Sequence, residues 1–416
     1  MKKSMVVTIA VLLNAAVCYA QSDIRGSVNN NSNNQGAANV SVGDYNNANM
    51  GTTGVSNSRV NGYVGNYSNN QGAANVAVGA GNNASSGSTN LNNANVNGYV
   101  GNYSNNQGSA NIAVGSGNNA NTGSVNVNNA TINGSVNNNS YNQGSANVAV
   151  GTGNNANVGS VNVNNANVNG YVGNYSNNQG AANVAVGAGN KASMGSTNVN
   201  NSNVNGYVYN GSNNQGAANI AVGDNNRASL GSTNIRNSNV GGGVYNYSNN
   251  QGAANVAVGN NNSARMGSTN IGGSNVNGYV DNYSNNQGAA NIAVGSGNQA
   301  SMGSTSVTGS NINGGVYNNS YNQGAANVAV GTGNQASMGS TDIHNATVNG
   351  YVDNSSNNQG AANVAVGFGN HANMGSVEVQ NATVNGSVSN NSNNQGAANV
   401  AVGFGNTANM GSVVVK

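Results

Sequence analysis

Apolar and polar residues alternate along this chain in short bursts, and the bursts return at a fixed interval. In residues 179–214, Ala182, Val184 and Val186 form one alternating set. Ala192, Met194, Thr197 and Val199 form a second, and Val204, Gly206 and Val208 a third. Alternation with a period of two marks half-buried strands. Gly187-x-Gly189-Asn190, Gly195-Ser196 and Asn200-Asn201 fall between the sets, where turn residues belong. The pattern therefore predicts an all-β chain with the Ala, Val and Met side chains inward. Val76, Val78, Val184, Val186, Met194, Val204 and Val208 represent this expected core.

The register never slips. The string Asn-Gln-Gly-(Ala/Ser)-Ala-Asn places its glutamine at Gln35, Gln71, Gln107, Gln143, Gln179, Gln215, Gln251, Gln287, Gln323, Gln359 and Gln395, a constant step of 36 residues. Ordinary surface loops tolerate insertions, and here there are none. Stacked identical layers account for that, which predicts a β-solenoid or cross-β stack of eleven units. One unit offers too few apolar side chains, at roughly 2 kcal/mol each, to offset the ordering of its backbone. Neighbouring layers, spaced about 4.8 Å apart, must supply the rest.

The amides then acquire a role. Stacked in register, each Gln or Asn can donate to its own copy in the next layer. The eleven glutamines and the following Asn39, Asn75, Asn111, Asn147 and Asn183 are the candidate ladders. With Gln as position 1, positions 1, 5 and 12 hold the same amide residue in every unit, as in Gln71, Asn75 and Asn82. Capping of turns by Asn is the alternative role, and both can hold at different positions. Tyr63, Tyr99, Tyr171, Tyr207, Tyr279 and Tyr351 share position 29, with outward parity, and are a candidate surface stack. Tyr67, Tyr103, Tyr175, Tyr247 and Tyr283 share position 33. Such a stripe could bind a sugar or host surface, or pack between filaments.

Composition narrows the field. Charged residues are 4% of the chain, and it has no Pro or Trp. Low charge without proline favours cross-β stacking, and the charge balance gives no basic groove for nucleic acid. Charged side chains sit in turns or on the parity opposite to the expected core; examples are Lys191, Arg227, Arg236, Arg265, Asp281, Asp342, Asp353 and Glu378. An interior free of charge is therefore expected. Asp342 and Glu378 share position 20 in adjacent units, where like charges should oppose stacking at neutral pH.

Lys2 and Lys3, the apolar run from Met5 to Val17 and the small residues at Cys18 and Ala20 predict a secretory signal peptide over residues 1–20, leaving 21–416 as the repeat domain. Cys18 is the only cysteine. No constellation for catalysis, metal or cofactor is expected, since His344 and His371 match no recurring carboxylate. The units before the two ends keep the repeat pattern, from Ile24-Arg25-Gly26-Ser27-Val28 to Gly411-Ser412-Val413-Val414-Val415, with no cap expected.

The stretch from Val384 to Asn409 (Val-Asn-Gly-Ser-Val, an Asn/Ser arc, Gly-Ala-Ala-Asn-Val-Ala-Val, then Gly-Phe-Gly-Asn) resembles the repeats of the Fap-type functional amyloids, the FapC and FapB fibre subunits of Gram-negative biofilms. Asp44 and Asp224 match the turn Asp of that family, and Gln71 to Ala77 is similar to a compressed curli repeat. The chain departs from Fap subunits in having contiguous repeats and no C-terminal Cys-x-x-Cys. The resemblance implies a secreted subunit that self-assembles into extracellular fibres of a biofilm matrix. It also implies a nucleator subunit, a secretion pore and a periplasmic chaperone as partners beside the chain itself. A monomeric or cell-surface β-solenoid adhesin is the rival expectation; neither involves nucleic acid or a small-molecule substrate.

Overall fold

The computed structural model describes residues 16–18, 23–24, 28–35, 38–42, 47–72, 74–78, 83–108, 110–114, 119–150, 155–186, 191–222, 227–258, 263–296, 299–332, 335–368, 371–404 and 407–415. The described residues form a β-solenoid without helix, and every rung is one 36-residue unit. A representative rung contains five strands: Ala182–Val186, Lys191–Met194, Thr197–Asn200, Asn203–Val204 and Val208–Gln215. They are called here the alanine, methionine, threonine, short and long strands. Each pairs in parallel with its own copy, so Val208 faces Val244 and Gln215 faces Gln251. Four sheets are eleven strands deep and the fifth is twelve.

The twelfth strand is a departure from expectation. Ala16–Cys18, inside the expected signal segment, pairs with Thr53 to Val55. Its step is 37 residues rather than 36. An open strand edge accepts any extended neighbour, and this one joins outside the repeat register.

Left-handed backbone sets the corners. Gly180, Gly195 and Asn201 have φ of 55°, 56° and 47°. Only Gly and Asn enter this region readily, which explains the Gly-Ser and Asn-Asn punctuation. A β-carbon added to Gly195 would lie 2.6 Å from Ser176 Oγ, so that corner is closed sterically as well. At Gly206 an added β-carbon would meet the carbonyl oxygen of Gly170 in the rung below at 2.6 Å.

The interior has apolar and polar strips. Val199, Val204 and Val208 are fully buried in the largest apolar cluster, between the threonine, short and long strands. Met194 packs with Ala181 and Ala217 in a second cluster. Ala185 and Ala192 close a third, between the alanine and methionine strands. Met194, Val204 and Val208 thus occupy the expected core.

The alanine strand corrects the expectation. Ala181, Asn183 and Ala185 are buried, while Ala182, Val184 and Val186 are half-buried on the opposite face. Both faces of this strand carry aliphatic residues, so alternation supplied the period but not the phase. The small face wins because the methionine strand packs closely against it and the Asn amide needs interior partners. The side chains of Val76, Val78, Asn39, Asn75, Asn111 and Asn147 lie outside the described residues, as do the Gly187–Asn190 turn, Asn82, Asp44 and Asp224.

Candidate functional site

The long strand has two chemically distinct faces. Inward, Asn210 and Asn214 are fully buried. Asn174 donates to Asn210 Oδ1 at 2.9 Å, and Asn210 donates to Asn246 Oδ1 at 2.9 Å. Asn178, Asn214 and Asn250 repeat this at 2.8 and 2.9 Å. Asn66, Asn102 and Asn138 belong to the first file, and Asn70, Asn106 and Asn142 to the second. Sequence reasoning missed both files. The available signal was that positions 32 and 36 are Asn in all eleven units, from Asn30 and Asn34 to Asn390 and Asn394.

The expected ladder at Asn183 is present. Its amide donates to Asn219 Oδ1 at 2.8 Å and to the backbone oxygen of Ala156 at 3.0 Å. Both hydrogens of a fully buried amide are therefore used, which removes a cost of about 1–3 kcal/mol per unsatisfied group. The glutamine file is different. Its residues pair in register at the end of the long strand, but they sit half-buried or exposed on the outer face. Gln143 donates to Gln179 Oε1 at 2.8 Å and to the hydroxyl of Tyr141. Hydroxyls tie the corners together: Ser196 donates to its own rung's Met194 oxygen at 3.1 Å and accepts the amide of Ser232 at 3.3 Å. Asn201 takes the left-handed conformation of a turn.

Outward, the long strand and the residue before it carry every tyrosine except Tyr19 and Tyr45. Tyr63 and Tyr99 stack with ring centroids 5.1 Å apart and planes within 4°, and Tyr171 and Tyr207 at 4.9 Å and 2°. Tyr67–Tyr103 and Tyr247–Tyr283 stack at 5.0 Å. Tyr279 meets Tyr317 at 5.9 Å with planes inclined by 51°, and Tyr351 is 60% exposed. In three units that lack one of these rings another outward position supplies one: Tyr209 beside Gly211, Tyr245 beside Gly243, Tyr317 beside Gly315. The glycine lets the ring lie close, since a β-carbon on Gly243 would sit 2.7 Å from Tyr245 Oη. Burial among neighbours, and then the Tyr207 phenol, push the Tyr171 hydroxyl above its ordinary pKa.

A cleft runs outside the corner between the methionine and threonine strands, and it corrects the expectation of a charge-free interior. Arg265, Asp342 and Glu378 have the predicted parity, yet they are only 4%, 2% and 5% exposed. The two strands fold towards each other on that side, so positions 15 and 20 face across a narrow gap instead of facing water. Arg265 donates to Asn234 Oδ1 at 2.8 Å and Gln299 Oε1 at 2.9 Å, beside a cavity of about 360 Å³ that Arg236 also lines. Asp342 accepts from Ser337 Oγ at 2.9 Å. Asn373 donates at 3.1 Å to both Asp342 and Glu378, whose backbones are register partners. Burial, reinforced by Glu378, raises the Asp342 pKa from 3.8 to about 6, although Ser337, His344 and Asn373 act in the other direction.

Compared with known proteins, the chain matches no family model, no curated protein and no solved structure.

Proposed function

We propose that this chain is a structural subunit that stacks end to end into amyloid-like extracellular fibres. One observation carries the reading: each rung is held to the next by the same register and the same side-chain ladders. Backbone pairing, the Asn files and the Ser corners all connect residue i to i + 36, as at Asn214 and Asn250. The final described rung repeats this template. Asn394 accepts from Asn358 below. A rung that templates the next within one chain can template a rung of another copy, and a head-to-tail contact of this kind generates an open filament.

The resemblance of Val384–Asn409 to Fap-type repeats supplies the biofilm setting. The rival, a monomeric surface adhesin, draws its support from the exposed tyrosine face. Thioflavin fluorescence and sedimentation of residues 21–416 separate the two. Growth of pelletable, thioflavin-positive material, seeded by preformed fibres, is expected. A chain that stays soluble and monomeric at high concentration, with or without seeds, would sink the fibre reading.

A further inference from the structure

We infer that the tyrosine face is a lateral docking surface for a second copy of this chain, related to the first by a two-fold axis across the stack. Period and exposure carry the inference. The rings recur every 4.9–5.1 Å along the sheet in the stacked pairs, which is the rung spacing itself. In these pairs the planes lie within 4° of parallel, so each ring covers its neighbour's face, whereas Tyr209, Tyr245 and Tyr317 meet their neighbours at inclinations of 32° to 75°. A sugar needs an open aromatic face, and stacked pairs offer few. A partner with the same repeat along the same direction meets the stacked rings in turn, and another copy of this solenoid has that repeat.

The area suffices. Tyrosines span nine successive rungs, from Tyr63 to Tyr351. At about 4.8 Å per rung and about 3.3 Å per residue across an eight-residue strand, the face covers on the order of 1,000 Å². Stable interfaces bury about 800 Å² per partner, with aromatic residues enriched at their centre.

Charge sets the orientation. Asp281 and Asp353 are carboxylates on this face, and both lie in its later half. Parallel pairing would set each against its own copy. Two-fold pairing about the middle of the tyrosine block sets the Asp281 rung opposite the Asn137 rung, and the Asp353 rung opposite the Gly65 rung. Like charges then stay apart, in a self-complementary contact. The units beginning at Val28 and Val388 carry no tyrosine on this face.

The test compares the full chain with a variant carrying Tyr67→Asn, Tyr103→Asn, Tyr175→Asn, Tyr247→Asn and Tyr283→Asn. Asparagine already occupies this position at Asn31, Asn139 and Asn319, so the rung accepts it. Mass per length by scanning transmission microscopy applies to filaments, and sedimentation to soluble particles. The wild type is expected to show two chains side by side, and the variant one, a twofold drop with axial spacing unchanged. A wild type with a single chain in cross-section overturns the proposal, whatever the variant does; so does a variant that stays paired. A single-chain wild type that binds cellohexaose would assign the face to carbohydrate instead. In residues 21–416, which carry no cysteine, an equal mixture of Asn137→Cys and Asp281→Cys chains should oxidise mainly to mixed dimers. Predominantly like-with-like dimers would overturn the two-fold arrangement.

Discussion

The two faces of the long strand obey different rules. Inward, Asn occupies positions 32 and 36 in every unit without exception. Outward, the tyrosine moves among positions 29, 31, 33 and 35, as Tyr207, Tyr209, Tyr247 and Tyr141 show. The difference reflects the directionality of the two interactions. A buried amide must find an acceptor near 2.8 Å on a fixed line, and a missing link orphans two neighbours. An exposed ring gains from any neighbour with centroids 4.5–7 Å away, at several inclinations. Strict repetition accompanies the buried Asn files, although the invariant Gln file on the outer face shows that it does not require burial, and drifting repetition marks the exposed rings.

The largest break in this contrast should come from Asn214→Leu. Asn178 would lose its acceptor and Asn250 its donor, each inside the protein. At about 1–3 kcal/mol per orphaned group, local stability should fall by roughly 2–6 kcal/mol. Hydrogen exchange of the Val172–Gln179 and Val244–Gln251 strands reads this directly; protection unchanged from wild type would refute the ladder's contribution.

Asp342 gives the next effect, with a defined sign. Its folded pKa, near 6, lies above the unfolded value of 3.8. A raised acid is favoured in the fold when protonated, so its rung is most stable below about pH 4 and loses stability as pH rises through 6. The loss is on the order of 1–3 kcal/mol. Denaturant midpoints measured from pH 4 to pH 7 should fall for the wild type. Asp342→Asn should flatten that slope; an equal slope in both would show that the carboxylate does not set it.

Ala185→Leu probes the phase of the alanine strand. Ala185 is fully buried against the methionine strand, so overpacking should cost about 1–3 kcal/mol. Val184→Thr, on the half-buried face, should cost less. The reverse order in thermal unfolding would restore the opposite phase. Smallest is Tyr171→Ser, which uses the residue found in register at Ser135. Loss of one stacked pair should cost about 0.5–1.5 kcal/mol, and a cost matching Asn214→Leu would erase the contrast between the faces.

Much of this architecture is legible in the residues. The 36-residue step, the turn at Gly195 and the inward Val204 and Val208 all follow from periodicity and turn chemistry, whereas the corner at Gly180 is seen only in its left-handed backbone. One rung per unit follows only from the pairing of i with i + 36. The alanine strand was misread because hydrophobic size favoured Val184 over Ala185, whereas close approach of two strands favours the smaller side chain. The buried charges were misread for a related reason. Parity says which side of its own strand Asp342 occupies, but a second strand folded over that side is a property of the corner at Gly339-Ser340.

The central claim is that one rung templates the next across molecular boundaries, and fibre diffraction of aligned, assembled residues 21–416 tests it most directly. A sharp meridional reflection near ~4.8 Å is expected, with coherence extending beyond the ~53 Å that eleven rungs of one chain can supply. Coherence limited to one chain's length, or a soluble monomer that yields no oriented fibre, would contradict it.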